Sequence, residues 1–91
     1  MKQRRSKLRI LADILGIIFE ENGARVTQIL YGANLSYDRL VKYLDELKAK
    51  ELITEKRDDQ GARYYLTKKG KDFLKEFKKI EKFAEAFGVQ I

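Results

Sequence analysis

The chain has 91 residues, 44% hydrophobic and 37% charged, with 20 Lys and Arg against 14 Asp and Glu. That is enough for one hydrophobic core and not two, in a folded rather than a disordered chain. The sequence has no Cys, His or Trp, which excludes disulfides, thiolate nucleophiles, imidazole bases and the usual zinc sites; its net charge of +6 points to a polyanionic partner, nucleic acid or an acidic membrane surface.

No apolar run is long enough to span a bilayer. The basic start, Met1 to Arg5, leads into an amphipathic helix with acidic residues and not into the apolar stretch of a secretory signal, so a cytoplasmic location is expected. The missing Cys and the many Lys and Glu fit a thermophilic source.

Ser6 to Asn22 reads as a helix. Leu8, Leu11, Leu15 and Ile18 form one stripe, and Ile10, Ile14 and Ile17 form a second beside it. So wide an apolar surface predicts burial on two sides, by the rest of the domain and by a partner. Gly23 is placed to end the helix. Ala24-Arg25-Val26 is a short strand candidate. Thr27 reads as the N-cap of a short helix, Gln28 to Tyr31, stopped by Gly32. Ala33-Asn34-Leu35 is the turn, and Ser36 caps the next helix, which runs to about Lys50 with Leu40, Val41, Leu44 and Leu47 inward. Short helix, tight turn and longer helix make a helix-turn-helix.

Leu52 to Arg57 and Ala62 to Leu66 read as two strands joined by the polar turn Asp58-Asp59-Gln60-Gly61, with Tyr64 and Leu66 on one face. Gly61 can supply the positive φ of such a turn. Thr67 caps a last helix, Lys68 to Phe87, ended by Gly88. A hairpin directly after a helix-turn-helix makes a wing. Along the last helix Leu66, Phe73, Phe77, Ile80, Ala84 and Phe87 fall on one seam with coiled-coil spacing. So small a domain has little core left for these side chains. The seam, with neighbouring Phe83, is therefore expected to form a dimer interface, an antiparallel coiled coil. The chain then divides into a winged helix-turn-helix at 1–67 and a dimerisation helix at 68–91.

A helix entering the major groove presents cationic and hydrogen-bonding side chains near its N-terminus. The candidates are Ser36, Tyr37, Arg39, Lys42 and Tyr43. The position of Tyr37 beside the apolar stripe predicts a half-buried ring, which makes Tyr43 the better base reader. Asp38 and Glu46 share this helix and count against tight phosphate packing, although Asp38 can support the helix dipole or accept from a cytosine amine. The wing offers Lys56, Arg57, Gln60 and Arg63 around an acidic tip, and the N-terminus offers Lys2, Arg4, Arg5 and Lys7. The same patterns also suit solvated charge on a helix face, a hairpin or a mobile arm. Asp58, Asp59 and Gly61 lack the ligand spacing of a calcium loop, and no pairing of nucleophile with base is present. No enzyme activity, metal, cofactor or small-molecule substrate is expected.

The run Tyr31-Gly32-Ala33-Asn34-Leu35-Ser36-Tyr37 and the stretch YYLTKKGKDFL, Tyr64 to Leu74, resemble the small archaeal winged-helix chromatin and DNA-binding proteins. The likeness extends from Lys7 to about Phe87. It implies a mainly α fold with a small β-hairpin in the order α-β-α-α-β-β-α, a homodimer joined through an antiparallel coiled coil of the last helices, and binding of double-stranded DNA with little sequence preference. By position, the groove helix begins at Ser36-Tyr37 and includes Arg39, Lys42 and Tyr43, and the wing runs from Lys56 to Arg63. Such a protein is architectural chromatin or a transcription regulator, associated with the nucleoid. Two other classes remain open. One is a protein-interaction module, for which the acidic residues on the groove helix and wing speak. The other is a peripheral membrane protein using the Phe-rich basic last helix, but dimerisation is the simpler use of that seam and no membrane partner is expected.

Overall fold

The computed structural model describes residues 5–91. Four helices and three strands follow one another as α1 (Lys7–Glu21), β1 (Ala24–Arg25), α2 (Val26–Ala33), α3 (Tyr37–Ala49), β2 (Ile53–Asp58), β3 (Gly61–Leu66) and α4 (Lys68–Ala86). This is the expected order, mainly α with a wing.

Local chemistry sets most of the boundaries. Three hydroxyls cap helices. Ser6 Oγ accepts from Arg9 N at 3.1 Å, Ser36 Oγ from Arg39 N at 3.4 Å, and Thr67 Oγ1 from Gly70 N at 3.0 Å. Asn22 and Asn34 end α1 and α2 in the left-handed region, with φ of 51° and 54°. In the antiparallel sheet β3 lies between β1 and β2. Asp58 pairs with Gly61 across a two-residue turn, and Gly61 has the expected positive φ, 112°.

The second helix departs from the expectation. It begins at Val26, one residue before Thr27, and passes through Gly32 to Ala33. Gln28 Oε1 accepts from Arg25 N at 2.8 Å and takes the capping role expected of Thr27. Gly32 is not a stop signal. A Cβ there would lie 2.7 Å from Ile17 Cδ1, so the missing side chain lets α2 approach α1.

Ile10, Leu11, Ile14, Leu15 and Ile18 of α1 are all buried within the single chain, enclosed by α2, β1, β3 and α4. The two-sided burial expected of α1 is thus met without a partner, and of its first stripe only Leu8 stays exposed. Leu40, Leu44 and Leu47 of α3 complete the core with Ile29, Leu52 and Ile53.

The single seam expected on α4 divides into two. Gly70, Leu74 and Phe77 are buried, and Phe77 is only 4% exposed, with the Arg9 guanidinium over its ring at 5.1 Å from the centroid. Glu81 continues this face through an ion pair with Arg9. A second face, one step round the helix, stays open. Ile80, Phe83 and Phe87 are 53%, 68% and 70% exposed, with half-buried Phe73 at its start. The sequence spacing merged two adjacent stripes, because Phe77 and Ile80 are both compatible with either.

Candidate nucleic-acid interface

The exposed face of α3 carries Tyr37, Asp38, Arg39, Lys42 and Asp45. Among the described residues, Arg39 and Lys42 enter no ion pair within the chain, whereas Glu46 is engaged by Lys7 at 2.9 Å and Lys50 at 3.6 Å. The hydrogen bond from Lys7 is the main reason the Glu46 carboxyl lies below its ordinary range. One acidic residue of the helix is therefore already partnered. Two aromatic expectations reverse. Tyr37 is 61% exposed, because it stands in the first turn of α3, one turn ahead of the buried Leu40. Tyr43 is half-buried against the core and shares a shallow groove with Lys7, Arg39, Lys42 and Glu46. Tyr31, at the end of α2, is exposed too; nothing in its spacing distinguished it from a core residue.

The N-terminal cluster lies partly outside the described residues, which begin after Lys2 and Arg4. Its described members are tied to the fold. Arg5 donates to Asp13 Oδ2 at 3.0 Å and to the Asn34 carbonyl at 3.2 Å, and Lys7 holds Glu46.

In the wing, Lys56 lies over the Tyr65 ring at 5.4 Å, Arg57 Nε lies 3.3 Å from Glu55 Oε2, Arg63 is half-buried and Gln60 is exposed. One of the two carboxylates of the acidic tip, Asp58, is neutralised by a residue the sequence did not single out. Arg25 donates through both terminal nitrogens to Asp58, at 3.1 and 2.6 Å, across 33 positions of sequence. This two-point contact pins the wing to the start of α2. It also lowers the Asp58 pKa to about 2, helped by a hydrogen bond from Gln60 N.

A depressed folded-state pKa means that the link contributes above the ordinary carboxylate value and is lost as pH falls through about 2. An NMR titration is expected to place the Asp58 midpoint near 2 and, in Arg25→Ala, to return it towards the ordinary value. A wild-type midpoint at the ordinary value would show that the pair does not form in solution.

A family model described as winged helix-turn-helix matches residues 4–85. The chain belongs to the winged helix-turn-helix family. This winged helix-turn-helix protein is similar to Sso10a-2, a DNA-binding protein from Sulfolobus solfataricus, at 29% identity with a TM-score of 0.83, over 91% of this chain and 85% of that one. MepR, a transcription regulator of the Staphylococcus aureus multidrug efflux pump MepA, shares the fold at 21% identity and a TM-score of 0.76; the match covers 86% of this chain and 60% of that one. A MepR variant bound to an oligodeoxyribonucleotide matches at 20% identity and a TM-score of 0.74, again over 86% and 60%. No curated protein sequence matches. Membership of this family accords with a protein that performs no chemistry of its own. Among the described residues no helix is long and apolar enough to cross a membrane.

Proposed function

We propose that the chain is a homodimeric double-stranded DNA-binding protein, an architectural chromatin protein or a transcription regulator associated with the nucleoid. The observation that carries this reading is the free N-terminal half of α3. Arg39 and Lys42 are exposed and unpaired there among the described residues, beside exposed Tyr37 and the Ser36-capped helix start. A helix N-terminus with flanking cations suits phosphate, and Arg and Lys suit guanine edges in the major groove. Sso10a-2, named as DNA-binding, supports the reading, as does the oligodeoxyribonucleotide-bound MepR variant for the fold. In this arrangement Ser36, Tyr37, Arg39 and Lys42 meet the groove, with Tyr43 supporting them from the edge. The wing residues Lys56, Arg57, Gln60 and Arg63 follow an adjacent backbone. Lys7 holds Glu46 on α3, Arg5 holds the Asn34 carbonyl in the turn ahead of it, and Lys2 and Arg4 add to the cationic charge of the N-terminal sequence. Ile80, Phe83 and Phe87 join two copies through the open face of α4, with Phe73 at its edge, so that 1–67 carries the DNA-binding unit and 68–91 the dimer contact.

The test is a gel-shift series on random and genomic duplexes across salt. Arg39→Ala with Lys42→Ala is expected to weaken binding at least tenfold and to flatten the salt dependence by about two phosphate equivalents, each about 0.9 in slope. Its melting temperature should not move, since neither side chain contacts another element through an ion pair. Equal binding to all duplexes marks a chromatin protein, and one strongly preferred promoter marks a regulator. Normal binding by the double variant would remove α3 from the interface. If the wild type retards no duplex at low salt, the DNA reading fails and a protein partner takes its place.

A further inference from the structure

The two elements proposed to enter the groove carry no excess positive charge of their own, although Lys7 and Lys50 reach Glu46 and Arg25 reaches Asp58 from outside them. On α3, Arg39, Lys42 and Lys48 are balanced by Asp38, Asp45 and Glu46. In the wing, Lys56, Arg57 and Arg63 are balanced by Glu55, Asp58 and Asp59. The net charge of +6 therefore lies elsewhere. Half of it is on α4, where seven lysines face four carboxylates.

These lysines are ordered. Lys68, Lys71, Lys75, Lys78 and Lys82 recur at steps of three and four, which places them on one side of the helix. All five are exposed, and among the described residues none is in an ion pair; on this helix only Lys79 is, with Glu76 at 3.2 Å. The stripe is a third face of α4. It is separate from the face that buries Leu74 and Phe77 and from the open apolar face of Ile80, Phe83 and Phe87. It spans about 21 Å at 1.5 Å per residue. It also begins in an electrostatically unfavourable place. The first turn of α4 holds Lys68, Lys69 and Lys71 with no acidic residue, at the helix end whose dipole already repels cations. A solubilising surface does not require that arrangement, whereas an anion laid against it relieves the repulsion. The helix packs on α1 and β3, while α3 packs on β2, so the stripe is not an extension of the α3 face.

Resting on the duplex binding proposed above, we infer that the Lys68–Lys82 stripe is a second phosphate-contact surface for duplex DNA. It supplies much of the sequence-independent affinity, and α3 with the wing sets the position on the duplex. Charge complementarity selects the occupant. A linear row of free ammonium groups, about 5 Å apart along the helix, matches a continuous line of phosphates better than a folded acidic protein.

The full-length chain carrying Lys71→Gln, Lys75→Gln and Lys78→Gln tests this on a random duplex. The plot of log affinity against log salt is expected to become less steep by about 2.7, three phosphates at about 0.9 each. Oligomeric state and melting temperature should hold, and Lys→Arg at the same three positions should restore the slope. In the wild type, saturating duplex is expected to protect the Lys75 and Lys78 amines from acylation. If the wild type binds duplex but the glutamine variant keeps the full slope, or labelling is undiminished, the inference is overturned and the α3 reading stands. If the wild type binds no duplex, both fall. Co-sedimentation with vesicles of anionic lipid that the glutamine variant loses, with duplex binding unchanged, would assign the stripe to membranes and overturn the inference.

Discussion

Gly70→Ala is expected to destabilise the fold by about 3 kcal/mol, the upper end of what overpacking commonly costs. For a domain of this size that lowers the melting temperature by roughly 12–24 °C. A Cβ at position 70 would lie 2.0 Å from the Leu52 carbonyl oxygen and 3.0 Å from its carbon. The obstacle is backbone and cannot rotate away. The same oxygen accepts from Thr67 N at 3.1 Å, and Thr67 Oγ1 donates to the Glu51 carbonyl at 2.7 Å. Glu51 is itself in the left-handed region, and Leu52 N donates to Leu47 O at 2.9 Å. The start of α4 is thus fastened directly onto the Glu51-Leu52 turn between α3 and β2. Relieving the clash lifts α4 away, which breaks the Thr67 contacts and opens the packing of Leu74 and Phe77. Gly16→Ala is the internal comparison. Nothing lies within 4 Å of a Cβ there, so the change should be neutral or stabilise α1 by about 0.5–1 kcal/mol. Denaturant melts of the two variants decide the matter, and equal midpoints would refute the close approach.

The second large effect concerns assembly. Ile80→Asp with Phe83→Asp is expected to convert a dimer into a folded monomer, visible by sedimentation with helicity retained. Both side chains are largely exposed in the single chain, and the Phe83 and Phe87 rings already meet at 5.0 Å between centroids. Burying such side chains against a partner is worth about 1.5–3 kcal/mol each, and a two-fold axis counts every one twice. Losing the second DNA-binding unit should weaken duplex binding by about 10²–10⁴ through lost bivalency. The same charge placed at Phe77 acts on the fold instead, because that ring is buried under Arg9. A monomeric wild type at micromolar concentration would end the dimer proposal.

What was legible in the sequence follows from the range of each interaction. The caps at Ser36 and Thr67, the Leu40, Leu44, Leu47 stripe and the turn at Gly61 all act within a few residues, so composition and spacing reveal them. Gly32 was misread because glycine ends helices by local propensity, while its role here is set by Ile17, fifteen positions earlier in the chain. Tyr37 and Tyr43 exchanged places for a similar reason. Helical angle says which side of α3 a residue is on, but not whether another element covers that turn.

The last helix, whose seam led to the expectation of a dimer, shows the division most clearly. Its helical period, its Thr67 cap and its lysine spacing are properties of the amino-acid order alone. Which of its two adjacent apolar stripes is spent on the core and which stays open depends on where α1 lies, a distance the sequence does not contain. The Arg25–Asp58 contact is of the same kind. Periodicity and capping are local and additive along the chain, whereas contacts between distant residues exist only once helices and sheet have packed.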